Sequence, residues 1–215
     1  VYDFTIDPAT SEAVHRLAPT LRQVARERIH TELTKLLRGQ GCEDILRAYA
    51  DVIAVILPQL APMQGFDQKT AYHRYDVWEH TIRAVAAVPP TETLRLTMLL
   101  HDSGKPACFT VDDAGVGHAY GHQAKSAEIA EAVLSDLRVD NATTQRVLTL
   151  VENHDMPLST EPKLLRRRLN QLGGDALRGL IEVQGADAVG KGTMSAEEIE
   201  ARTAAILSAL DDLTA

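Results

Sequence analysis

The sequence predicts an all-α protein, and three observations carry that prediction. Apolar residues recur at three- and four-residue steps along most of the 215-residue chain. Glycines and prolines punctuate those runs, and no stretch alternates apolar and polar residues as a half-buried strand would. With 45% hydrophobic and 24% charged residues, the composition is that of a folded globular chain, which sets aside disorder and a coiled coil.

Taken in order, Leu21, Val24, Ala25, Ile29, Leu33, Leu36 and Leu37 form the first periodic run, stopped by Gly39 and Gly41. Ile45 to Leu57 reads as a helix pair closed by Pro58. A loop with Pro62, Gly65 and Asp67 follows. It divides an expected small helical lobe, residues 1–64, from a larger helical domain, residues 65–190, with a C-terminal helix in 191–215. Val77 to Val88 is helical and ends at Pro89-Pro90, after which Thr91 caps a helix running to about His101. Residues 103–121 contain Gly104, Pro106, Gly115, Gly117 and Gly121 and read as a long loop, with Asp112 to Gly115 as the turn of a short hairpin. A loop of that length inside a compact domain is usually functional. Helices resume over His122 to Leu137, Asn141 to His154, Lys163 to Leu172 and Ala176 to Val183, and Ser195 with Glu198 forms a capping box opening the last one.

The longest apolar run, Val52 to Leu57, is far short of the ~20 residues that cross a bilayer, so no membrane partner is expected. The start carries Asp3 and Asp7 and no basic-then-apolar segment, so no secretory signal is expected. Cys42 and Cys108 lack metal-type spacing and fit a reduced, cytoplasmic setting. The first residue is valine, which points to a processed product or a piece of something longer. A net charge of −8 makes the surface as a whole a poor nucleic-acid binder. Two local basic patches stand out, Arg22, Arg26, Arg28, Lys35 and Arg38 on an early helix and Lys163 to Arg168 later; each taken alone reads as a solvated helix face.

The chemistry sits around His101-Asp102, followed by Ser103-Gly104-Lys105. Six of the 8 histidines lie between His73 and His154. The candidate ligands are His80, His101, Asp102, His122, His154 and Asp187, spread over helices that would face one another, which is how a bundle builds a metal site in its core. On a regular helix His101 and Asp102 would point roughly 100° apart, so the turn beside Gly104 is expected to bend the backbone until both meet one ion. Singly, each histidine is an ordinary surface or core residue and Asp187 an ordinary helix cap; the order His, His-Asp, His, His, Asp is what carries the signal. Clustered imidazoles with carboxylates describe a hydrolytic site for a divalent transition metal better than a structural one. Manganese, iron, cobalt or nickel suit it better than magnesium. Trp78 reads as core packing. Phe66, Tyr72 and Tyr75 read as a lobe-joining cluster, with base stacking as the alternative. Asp155 reads as an orienter of an imidazole or a helix-end residue facing water, and Ser103 lacks the base-and-orienter pair of a nucleophile.

Several strings resemble a known family. They are Tyr72-His73-Arg74-Tyr75-Asp76-Val77-Trp78-Glu79-His80-Thr81, Leu99-Leu100-His101-Asp102-Ser103-Gly104-Lys105-Pro106, Gly117-His118-Ala119-Tyr120-Gly121-His122, Glu152-Asn153-His154-Asp155, Arg167-Arg168-Leu169-Asn170 and Ala186-Asp187. Together they resemble HD-domain metal-dependent phosphohydrolases, and more closely the C-terminal half of bacterial CCA-adding tRNA nucleotidyltransferases. Glu27 to Leu33 resembles the RNA-facing helical stretch upstream of the HD region in those enzymes. The resemblance implies that His80, His101, Asp102 and Asp187 hold a principal metal, and that His122 and His154 help hold a second ion bridged by Asp102. It places Lys105 near the substrate phosphate, and His73, His118 and Arg167 along the pocket. The implied activity is phosphomonoester or phosphodiester hydrolysis on small nucleotides, 2′,3′-cyclic ones among them. The nucleotidyltransferase head, with its Gly-Ser turn and paired carboxylates, does not precede Val1, so nucleotide addition is not expected of this chain alone. The rival expectations are a tRNA-binding module with a vestigial metal site and a free nucleotide-pool hydrolase of the same superfamily.

Overall fold

The computed structural model describes residues 5–214, and Asp3 lies outside them. Twelve α-helices and one two-stranded hairpin make up the described chain. Helix α1, Pro8–Leu17, starts where Asp7 Oδ1 accepts from the amides of Ala9 and Thr10, and it buries nothing. Its apolar residues are too sparse to be seen by periodicity. A 3₁₀ turn follows over Ala18–Gln23, and the backbone is extended at Val24. The run from Leu21 to Leu37 is therefore not one helix: Pro19 opens the tighter turn, and α2, Arg26–Arg38, buries only Ile29, Leu33 and Leu37, a strict four-residue stripe.

Helices α3, Cys42–Ala48, and α4, Ala50–Ile56, are the expected pair, meeting at Tyr49. A 3₁₀ turn at Pro58–Met63 then buries Leu60 and Met63 completely. In the loop read as a boundary Pro62, Gly65 and Asp67 are exposed, while Met63 beside them is buried. One hydrophobic core runs from Ile29 to Leu210 without a break at residue 64.

At the centre, α5, Val77–Ala87, lies between α6, Glu92–Leu100, and α11, Gly174–Lys191. Helices α8, His122–Asp136, and α9, Asn141–Asn153, pack on each other, and α9 closes on α6. The short α7, Lys105–Cys108, leads into the hairpin β1, Thr110–Val111, and β2, Gly117–His118, paired antiparallel with Thr110 opposite His118. Helix α10, Pro162–Leu172, and α12, Ala196–Thr214, cover α11. The capping box forms as expected, with Ser195 and Glu198 exchanging hydrogen bonds. Helix α11 continues past Val183 to Lys191, so Asp187 sits within a helix rather than capping one. Close packing, of Gly185 against Thr203 in α12 and of Gly190 against His80 in α5, outweighs the low helix propensity of these glycines. Among the described residues no helix is long and apolar enough to cross a membrane.

Candidate metal centre

Three of the four core histidines are oriented by the same device. His101 follows α6 and His154 follows α9, while His122 opens α8; in each the Nδ1–H donates to the carbonyl three residues back, Met98 at 2.7 Å, Val151 at 2.7 Å and Ala119 at 2.8 Å. At the two C-terminal ends this satisfies a carbonyl that the helix leaves without a partner. It also fixes the tautomer: with the proton on Nδ1, the neutral ring presents an Nε2 lone pair to the centre of the bundle.

The Nε2 atoms of all four rings converge. The Nε2 atoms of His80 and His101 are 3.0 Å apart, and those of His122 and His154 are 3.2 Å apart. Asp102 lies between the two pairs, with Oδ2 3.1 Å from His80 and 3.3 Å from His101, and Oδ1 3.3 Å from His122 and 3.6 Å from His154. Asp187 completes the first group, its Oδ1 3.3 Å from His80 Nε2. All six residues are buried. Both carboxylate oxygens of Asp102 are buried without a hydrogen-bond partner.

These observations test whether a cation fits. Two imidazole nitrogens facing each other at 3.0 Å need a proton or a metal ion between them. For metal–ligand bonds near 2.1 Å, neighbouring ligand atoms stand about 3.0 Å apart in an octahedron and about 3.4 Å in a tetrahedron, and the spacings above fall around those values. His80, His101, Asp102 and Asp187 can hold one ion, and Asp102, His122 and His154 a second. The donor set of imidazole nitrogens and carboxylate oxygens suits a divalent transition metal.

Two close approaches create this geometry. Gly104 has ordinary helical dihedrals, so it does not bend the chain as expected. It is instead pressed against α8, where a Cβ would lie 2.6 Å from the His122 carbonyl and the Ser126 amide. The turn carrying His101 and Asp102 is thereby held against the helix carrying His122, and the Gly104 amide donates to Ser126 Oγ at 2.9 Å. On the other side Gly190 brings α11, and with it Asp187, onto His80.

The charges follow from the burial. Burial opposes ionisation of Asp102, yet His101 and Lys105 hold its carboxyl well below the usual carboxylate range. Asp187 is held low by His101 and His80 against the same burial. Burial also disfavours protonated His80, but Asp102 and Asp187 hold its pKa above the ordinary histidine value. His73 behaves oppositely: burial, then Lys105 and His80, push it down to about 3, so its ring stays neutral.

A cavity of about 320 Å³ opens over this floor, and Lys105, His73 and His118 line it. Lys105 Nζ forms an ion pair with Asp102, 2.7 Å from Oδ2, and donates a hydrogen bond to Gln68 Oε1 at 2.9 Å. Arg167 is the exception among the expected residues. It is exposed on α10 and not part of the cavity, because the inward residue there is Leu165 and a step of two turns a side chain roughly 200° away. Phe66 packs edge-on to Phe109, and Tyr75 carries the Arg83 guanidinium 4.1 Å over its ring, but Tyr72 joins no such cluster and is 78% exposed. Ser103 is not poised as a nucleophile, since its hydroxyl donates to the Leu100 carbonyl.

Four residues at the site were not singled out from the sequence, or only in part. Gln68 is buried and positions Lys105. Lys191, one turn after Asp187, pairs with it and lines the cavity. Gln184 ties α11 to the end of α9 by donating to the His154 and Met156 carbonyls. Asp155, read as an orienter, has Oδ2 3.5 Å from His122 Nε2 and 3.6 Å from His154 Nε2, and accepts from Gln123 at 2.8 Å. The place of Asp155 beside His154 pointed to it, and the Asp187–Lys191 helical spacing could have pointed to Lys191.

Comparison with known proteins places this geometry in context. Residues 3–63 match the family described as "Probable RNA and SrmB- binding site of polymerase A". The chain is 33% identical over 177 residues to an A-adding tRNA nucleotidyltransferase of Deinococcus radiodurans, covering 76% of this chain and 41% of that protein. It is 28% identical over 162 residues to a multifunctional CCA protein of Cupriavidus pinatubonensis, covering 71% of this chain and 38% of the relative. It is also 28% identical over 179 residues to a bifunctional uridylyltransferase/uridylyl-removing enzyme of Caulobacter vibrioides, covering 71% of this chain and 18% of that protein. The chain therefore spans well under half the length of each of these relatives.

Proposed function

We propose that this chain is a metal-dependent phosphohydrolase of the HD type, cleaving phosphate esters of nucleotides at the floor of the cavity. The observation that carries this reading is Asp102, which offers one carboxylate oxygen to each of two imidazole pairs. When bound, a divalent ion there supplies a water-derived nucleophile near neutral pH and neutralises charge on phosphoryl oxygens. The chain's own groups do the rest. An ammonium has three donors; Lys105 gives one to Gln68, pairs by charge with Asp102, and has donor capacity left for a phosphate oxygen. Lys191 adds a second cation to the wall. The neutral ring of His73 adds no charge of its own beside these cations. Removal of a uridylyl group, the activity in the Caulobacter relative's name, is a phosphate-ester cleavage and supports the reading. Manganese, iron, cobalt and nickel are the expected ions.

The test is a panel of nucleotide phosphate esters, 2′,3′-cyclic ones included, assayed with each divalent ion and paired with elemental analysis. His101→Ala and Asp102→Ala are expected to lose metal and phosphate release together. If both variants keep both, the reading is wrong.

A second reading, a tRNA-binding module whose metal site is not catalytic, is favoured by the match of residues 3–63 to an RNA-binding family and by the named activities of the tRNA nucleotidyltransferase relatives. Arg22 and Arg28 are exposed with no ion-pair partner among the described residues, whereas Arg26 is taken up by Asp136 and the Ile56 carbonyl, and Arg38 by the Pro90 carbonyl. tRNA binding measured across salt separates the two. A steep fall in affinity with salt, reduced in Arg22→Glu and Arg28→Glu, supports RNA contact, and no binding at low salt removes it.

A further inference from the structure

We propose that Tyr120 is a stacking platform for a nucleobase at the mouth of the cavity. The site then takes nucleoside phosphates in preference to base-free phosphate esters. This rests on the phosphohydrolase reading only for what happens at the cavity floor.

Tyr120 is 79% exposed, which is unusual for a large aromatic side chain, yet it is not loose. Its ring lies parallel to that of His118, at 7° with centroids 5.2 Å apart, and its hydroxyl is 3.2 Å from His118 Nδ1. His118 Nε2 is in turn 2.8 Å from Asp112 Oδ2. Asp112 is fixed by the hairpin turn, since its Oδ1 accepts from the amides of Ala114 and Val116. The chain Asp112–His118–Tyr120 therefore holds an aromatic ring in one orientation while most of that ring faces water. Pre-set, exposed aromatic rings are what single nucleotides stack on, because every base has a π-face.

Tyr72, 78% exposed, stands on the loop before α5, which is joined to β2 by the Gly117 amide donating to the Lys69 carbonyl at 2.8 Å. Both tyrosines line the cavity whose floor holds Asp102, His122 and His154. Its volume of about 320 Å³ suits a mononucleotide better than a larger ligand. Both exposed rings line the same pocket.

The test uses the full chain and 2-aminopurine riboside 5′-monophosphate, whose fluorescence is quenched when its base stacks. Titration should show quenching. Tyr120→Ala should abolish it and weaken binding roughly tenfold, in line with the loss of one base–aromatic stack. Tyr120→Phe should retain both, and ribose 5-phosphate should bind wild type and Tyr120→Ala equally. Unchanged thermal melting of Tyr120→Ala would exclude unfolding as the cause. The proposal is overturned if wild type shows no quenching, if Tyr120→Ala behaves as wild type, or if ribose 5-phosphate binds wild type as tightly as the fluorescent nucleotide. Metal-dependent phosphate release from ribose 5-phosphate would, in those cases, leave the phosphohydrolase reading standing.

Discussion

Gly190 of α11 rests on His80 of α5 so closely that a Cβ on the glycine would lie 2.8 Å from both Nδ1 and the carbonyl oxygen of the histidine. Asp187, one turn earlier on α11, reaches His80 Nε2 only because the two helices meet at that glycine. Gly190→Ala should force them apart. It gains helix propensity of roughly 1 kcal/mol, but overpacking a tight contact costs about 1–3 kcal/mol. Net destabilisation in a denaturant titration is expected, with metal content reduced at the first ion position. A variant that is more stable than wild type and fully metal-loaded would show that the spacing does not matter.

Asp102 should be distinguishable from every other ligand by stoichiometry. Its two oxygens serve different imidazole pairs, so Asp102→Asn is expected to empty both ion positions, whereas His122→Ala is expected to empty one. Elemental analysis of the purified variants measures this. Two ions retained by Asp102→Asn would end the bridging assignment.

Lys105 separates binding of metal from handling of phosphate. Lys105→Met keeps the side-chain stem and removes the cation 2.7 Å from Asp102. Metal content should hold, because removing a positive charge does not disfavour a cation. Phosphate release should fall about a hundredfold, the scale of losing one donor aimed at developing negative charge. Equal turnover in the variant would place Lys105 outside the chemistry.

Much of this was legible in the sequence, for identifiable reasons. The helices around the site are long, periodic and capped by Thr91, by glycines or by Ser195 with Glu198, and those signals are local. The six histidine and aspartate positions that meet in the core were also legible, through their order His, His-Asp, His, His, Asp and the strings that resemble a known family. What was not legible depends on packing between distant segments. Gly104 and Gly190 look like flexible points in a sequence and are contact points in the fold. Arg167 shares a string with neighbours that do pack, yet its step along α10 turns it to solvent. Gln68 and Lys191 become site residues only when the loop before α5 and the end of α11 come together at Lys105 and Asp187.

Glu79 gives a pH prediction independent of the metal. Its carboxylate accepts from Arg47 of α3 at 2.9 and 3.0 Å and from Arg83 at 2.7 Å, joining α3 to α5. Burial acts to raise its pKa, but the two guanidinium groups hold it below the ordinary value of 4.5. A folded-state pKa below the unfolded one means that the stabilisation is present above the ordinary carboxylate range and is lost as pH falls through the folded value. Glu79→Gln should therefore cost about 0.5–1 kcal/mol at neutral pH, as for a partly exposed ion pair. The gap between wild type and variant should close in acid. A gap that widens as pH falls would contradict the sign.

Metal should stabilise the fold itself, because an ion can sit among imidazole nitrogens and carboxylates that otherwise only protons hold together. Nε2 atoms meet at 3.0 Å between His80 and His101 and at 3.2 Å between His122 and His154, around the buried Asp102 carboxylate. An ion joins these groups in the folded state and finds no such site in the unfolded chain. At a hundredfold excess of free metal over its dissociation constant, one site adds about 2.7 kcal/mol. For a domain of this size that raises the melting temperature by roughly 5–10 °C. Differential scanning calorimetry with manganese or nickel, then with a chelator, reads the shift directly. His101→Ala should melt at the same temperature in both, since it lacks a nitrogen that the first ion needs. A wild-type melting temperature that does not respond to any divalent ion would mean that protons alone reconcile the facing imidazoles.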